Sequence, residues 1–219
     1  GVIWVWTPPV QRRICLMIDV APYFTRADGD YVFARWGVPI VPVVFGVDDQ
    51  TLGLFKGAIE AVVTLAGHKM AEIDPHLGAN LMVFFCRDWD EFNDVPHLEQ
   101  MVPDIGPLVA RLKAADANQY RLFRFDKAGA ITGCFVFLRM DAHLAEVPAD
   151  TLALSQAVQS ILLWSDAAFV EMPPLAAIKG NAVVRPEVAA VIAAAYDPVM
   201  PDVAHDPTHA MRLSARITL

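Results

Sequence analysis

The chain has 219 residues, 55% of them hydrophobic and 19% charged, with a net charge of −8. That length buries a large core without staples, and the acidic balance, with no basic stripe beyond Arg12 and Arg13, argues against nucleic acid or an anionic membrane surface as partner. No run approaches the ~18 uninterrupted apolar residues that a membrane helix needs, so no membrane span is expected, and so apolar a surface favours a homo-oligomer or another protein partner.

Residues 2–6 and 13–20 read as short buried strands separated by Pro8 and Pro9, and 21–30 as a turn-rich loop. Residues 31–36 lead into the apolar run 38–45. Pro39 and Pro42 cannot donate to a ladder there, which predicts an edge strand. A helix follows, capped by Asp48 or Asp49 and stopped at Gly67, with Leu52, Phe55, Ile59, Val62 and Ala66 on one face. Residues 68–79 form a loop, and 80–87 read as a strand buried on both faces.

Two short helices fit 89–101 and 107–115, divided by Pro103-Asp104. Residues 119–125 and 130–139 make a hairpin around the turn at 126–129. A helix over 149–163 starts at Asp150 or Thr151; Leu154, Ala157, Val158, Ile161 and Leu162 share its apolar face, and Ser155, Gln156, Gln159 and Ser160 its polar one. An irregular apolar stretch precedes a last helix at 186–196, with Pro186 in its first turn. No internal repeat or composition break divides the chain. The reading is one α/β or α+β domain over 1–219, with 1–30 an N-terminal extension and 203–219 an irregular tail.

Cys15, Cys86 and Cys134 sit in apolar, strand-like contexts and read as buried free thiols. No metal-peptidase His-Glu-x-x-His, no phosphate loop and no G-x-S-x-G elbow is present. His205 and His209 have i, i+4 spacing and are the candidate metal ligands, but Pro207 between them favours a solvated tail over a helix. His143 and Glu146 have similar spacing in a loop, and His68 is placed to favour a helix C-terminus. Asp88, Asp90, Glu91 and Asp94 cluster after a buried strand, where helix N-terminal charge complementarity explains them and a ligand site is the alternative. The chain opens on Gly1 and shows no basic leader, so a processed chain is expected.

Several pieces together resemble a bacterial family, domain of unknown function family 2927, whose members are similar to zincin-type metallopeptidases. These pieces are Arg35-Trp36-Gly37-Val38-Pro39-Ile40, the helix after Asp49, the hairpin ending in GAITGCFVFLR, the helix at 149–163 and Tyr196-Asp197-Pro198. The resemblance spans roughly 31–202 and implies a zincin-like, twisted mixed sheet with flanking helices, the 149–163 helix lying beneath a cleft. The family's counterpart of that helix reads approximately His-Glu-Glu-x-x-Gln, then Gly-Leu and Asn-Asp. Gln159 matches the Gln and Asp166 the Asp, but Leu154, Ser155 and Gln156 replace the His and both Glu, and Leu162 the Gly. The resemblance therefore implies a fold without the peptidase chemistry, and an exported setting. The expectation is a non-catalytic protein with no cofactor, whose cleft, bordered by Ser155, Gln156 and Gln159, takes a peptide or protein partner by strand addition. The alternative is a hydrolase drawing on Asp88, Asp90, His205 or His209.

Overall fold

The computed structural model describes residues 18–71 and 78–217. The strand expected at 2–6, most of that at 13–20, Cys15 and His76 lie outside the described residues. The elements run β1 (Phe33–Ala34), β2 (Pro42–Phe45), α1 (Asp49–Ala66), β3 (Leu81–Cys86), α2 (Leu98–Met101), α3 (Ile105–Ala114), β4 (Gln119–Phe125), β5 (Ile131–Arg139), α4 (Ala142–Glu146), α5 (Ala149–Ser160), β6 (Leu175–Ile178), β7 (Asn181–Val184), α6 (Pro186–Ala195), β8 (Val203–Ala204) and α7 (Thr208–Ser214). The main sheet has the order β2-β3-β5-β4, parallel except for the outermost strand β4. The fold is mixed α and β in one domain, with a mixed sheet and flanking helices.

Alternation along the strands divides the interior in two. Leu81 and Val83 of β3 and Cys134, Val136 and Leu138 of β5 point to α1, α5 and α6, in the larger core. Phe84 and Cys86 of β3 and Phe135 and Phe137 of β5 point the other way, to Trp89, Phe92, Leu98 and Leu108. β3, between two parallel partners, is therefore apolar on both sides, as its sequence requires. Helix α1 has the expected ends: Asp48 Oδ1 accepts from Thr51 N at 2.7 Å, and Gly67 takes the left-handed conformation at φ 68°. Its Phe55 is 1% exposed; truncation to alanine costs about 3–5 kcal/mol.

Helix α5 ends at Ser160 because its last carbonyls are taken from outside. Trp36 Nε1 donates to Ser160 O at 2.8 Å, and Tyr196 Oη donates to Ile161 O at 2.7 Å. The chain beyond then pairs with the β1 segment, Leu163 N donating to Ala34 O. On the far side of β5, a register shift sets Arg124 opposite Gly133 and Phe125 opposite Ile131, leaving Thr132 as an extra residue.

Three expectations change. The stretch expected to be irregular before 186 holds the hairpin β6–β7, turned by Lys179 and Gly180 at φ 50° and 83°; two adjacent positive φ values are what a two-residue hairpin turn needs. The tail from 203 is not irregular throughout: β8 pairs with β1, and α7 begins right after Pro207, where a missing N–H breaks no helical bond. The described part of the N-terminal extension is integral, with Val20 and Phe24 fully buried in the larger core.

Candidate functional site

The sheet has two edges of different character. β2 begins at Pro42, and the chain ahead of it is covered: Ile40 N donates to Lys69 O, and Ala71 N to Ile40 O. β4 carries no proline and pairs only with β5 among the described residues. Arg139 N donates to Asn118 O at 2.8 Å, so Asn118 and Arg139 form a hydrogen-bonded pair. The two pair classes alternate along an antiparallel ladder. Tyr120, Leu122 and Arg124 therefore turn their backbone groups to β5. Gln119, Arg121 and Phe123 turn theirs outward.

Those outward groups meet a cavity of about 940 Å³, at the upper end of the range for ligand pockets. Gln119 through Phe123 all touch it although successive side chains point to opposite faces, so the cavity abuts the strand's edge and not only one side. Its other walls are Phe33 and Ala34 of β1, Val203 of β8, Gln159 of α5, and Leu163, Trp164, Phe169 and Val170 of the chain beyond α5. Trp164 is fixed by a 2.8 Å bond from Nε1 to Val158 O and stacks on Phe24 at 5.4 Å. Phe125 and Val170, at 45% and 77% exposed, form an apolar rim.

Besides Tyr120, four ionisable residues line the cavity: Arg26, Arg121, Asp166 and His205. Arg26 and Asp166 stand 3.7 Å apart as an exposed pair. Arg121 has no carboxylate. Its Nη2 donates to Oε1 of Gln156 and, at 3.4 Å, to Oε1 of Gln119; Gln156 Nε2 in turn donates to Gln119 Oε1 at 3.1 Å. Its Nε is buried without a partner, and Nη1 makes no hydrogen bond among the described residues. Burial lowers the guanidinium's pKa to about 10, so it stays cationic at neutral pH. A cationic group in this position is costly to bury unpaired.

The sequence-predicted site residues separate. Gln159 is in the cavity wall, its Nε2 bonded to Ser155 Oγ at 2.9 Å. Gln156 is 3% exposed and lies behind the wall, holding Arg121. Ser155 is not in the wall. His205 is exposed at the cavity, whereas His209 is buried, its Nδ1 2.7 Å from Tyr31 Oη and its ring 4.3 Å from that of Phe33. The described residues contain no group of three His, Cys, Asp or Glu side chains placed to hold a metal ion.

The other candidates have structural work. Asp88 and Glu91 form a capping box: Glu91 Oε1 accepts from Arg87 N and Asp88 N, and Asp88 Oδ1 accepts from Asp90 N, all at 2.9 Å. Asp90 pairs with Lys113, and Asp94 is exposed. His143 and Glu146 are exposed on the short helix α4. His68 bonds Val38 O at 2.8 Å through Nε2 instead of serving a helix end. Burial pushes the thiols of Cys86 and Cys134 up to about 12, so neither supplies a thiolate at neutral pH.

Arg121, Gln119, Phe33 and Trp164 are site residues that the sequence reading passes over. The available signal was Arg121 itself, a charge on the same alternation face as Phe123 in a strand whose partner is apolar from Cys134 to Leu138. Comparison of the chain with protein-family models, curated proteins and solved structures finds no match.

Proposed function

We propose that this is a non-catalytic, metallopeptidase-like protein whose cleft binds an extended peptide, or an extended segment of a protein partner, along β4. The observation that carries the reading is the edge of β4, with the backbone groups of Gln119, Arg121 and Phe123 unpaired among the described residues and facing a large apolar cavity. An open seven-residue edge is a standing template for another strand, and strand addition requires only main-chain bonds plus pockets for alternate side chains. The position of α5 beside that cleft fits the zincin-like arrangement that the resemblance to family 2927 implies, and Leu154, Ser155 and Gln156 stand where that family carries acid and metal-binding groups. The same resemblance favours an exported setting.

The test is hydrogen exchange read residue by residue with a panel of five-residue extended peptides. Bound peptide protects the amides of Gln119, Arg121 and Phe123. Those of Tyr120, Leu122 and Arg124, already bonded to β5, change little. Binding with no such alternation, or no binding at all, rules out strand addition. Elemental analysis of chelator-free protein serves as the second check: stoichiometric zinc that His205→Ala removes would overturn the non-catalytic reading.

A further inference from the structure

We infer that the cleft selects a free C-terminus: Arg121 is the anchor for the terminal carboxylate of a peptide whose last residue is apolar. This rests on the strand-addition reading and names the end of the strand that binds. Charge complementarity is the argument. The acidic ligand-side candidate within the cavity, Asp166, is already matched by Arg26. Arg121 has no counter-charge among the described residues, since Gln119 and Gln156, to which it donates, supply neutral carbonyl oxygens.

Geometry supports the same choice. Arg121 lies on the strand whose edge would pair with the peptide backbone and turns its side chain to the α5 side of the sheet, so a carboxylate reaching it comes off the end of a chain aligned with Gln119 or Phe123. Its guanidinium is held from behind by Gln156, which is fixed in α5, and Nη1 is left for a ligand. A planar guanidinium with two free donor directions suits a carboxylate better than an ammonium would. The same cavity is lined by Phe33, Phe123 and Trp164, which give an apolar last side chain a seat. The low dielectric of such a seat strengthens an ion pair relative to water.

The experiment measures binding of N-terminally labelled five-residue peptides, each ending in an apolar residue and made both as the free acid and as the C-terminal amide. Free acids bind wild-type protein about 10- to 100-fold tighter than their amides. In Arg121→Gln the ratio falls to about one; Arg121→Lys restores part of the ratio. Equal binding of acid and amide overturns the anchor and leaves strand addition standing. Failure of both forms to bind overturns the two readings together. Amides with an internal Glu that bind as tightly as the free acids overturn the terminal assignment. The acid-to-amide ratio is read on the wild-type chain, so the result does not depend on the variants folding.

Discussion

Arg35 and Arg121 are both withdrawn from solvent beside the β4–β5 hairpin, and their surroundings differ completely. Arg35 uses its whole fork: Nε donates to Asp202 at 2.7 Å, Nη1 to the carbonyls of Ala195 and Asp197, and Nη2 to Met200 O at 2.9 Å. Its guanidinium also lies 5.5 Å from the Tyr196 ring centroid. That cluster closes the end of α6 and ties the β1 segment to β8. Arg121 has two amide oxygens, an orphaned Nε and no counter-charge. A buried polar group with every bond made holds a fold together. One left incomplete in a cavity wall is not explained by bonds among the described residues, and the anchor role proposed for Arg121 rests on that difference.

The comparison is broken most directly at Arg35. Arg35→Met strands the carbonyls of Ala195, Asp197 and Met200 along with Asp202, and costs about 3–5 kcal/mol in urea unfolding; a loss under about 1 kcal/mol would show that the completed fork is ornamental. His209, with one bond and a bare Nε2, stands between the two arginines. Burial holds its pKa down to about 4, against an ordinary value near 6.5. The unfolded imidazole thus takes up a proton that the folded one refuses, so its contribution is intact above pH 6.5 and is lost as pH falls toward 4. The loss is roughly 2–3 kcal/mol, and the difference between wild type and His209→Gln across that window isolates it.

Arg121→Met should leave stability within about 1 kcal/mol of wild type, since relief of the unpaired charge offsets the donor lost to Gln156. Adding Gln156→Leu removes the carbonyl oxygen left without its donor and raises stability by about 1 kcal/mol over the single variant. A loss as large as that of Arg35→Met would make Arg121 a structural group and end the contrast. The smallest effect belongs to the exposed pair of the same cavity: Asp166→Asn changes the unfolding free energy by less than about 0.5 kcal/mol, checked by thermal melts at low and high salt.

Much of the frame was legible because local chemistry and tertiary packing agree there. Asp48 and Gly67 bound α1, the apolar runs of β3 and β5 describe strands covered on both faces, and Pro42 marks the closed edge. What escaped was set by partners far along the chain. β1 and β8 are two residues long and exist through each other, and α7 follows a proline that looked like a helix breaker. The cleft escaped for the same reason. Gln159 belonged to the expected polar face, but the wall it joins is assembled from β1, β4, β8 and the chain after α5. The charge that defines the wall lies on β4, away from the helix whose pattern carries the family resemblance. Ser155 and Gln156 share a helix face with Gln159, yet only a position one turn further along reaches the open space.

The irregularity between Arg124 and Phe125 works as an index mark on the hairpin. A ladder of regular pairs can slip, and a slip of one residue turns every side chain of a strand to its opposite face. With Thr132 looped out of β5, the strands β4 and β5 can seat in one alignment only. That alignment decides that Arg121, and not Tyr120 or Leu122, comes up beside Gln156. The side chain that β4 presents to α5 is thus fixed by one extra residue, Thr132, on the neighbouring strand.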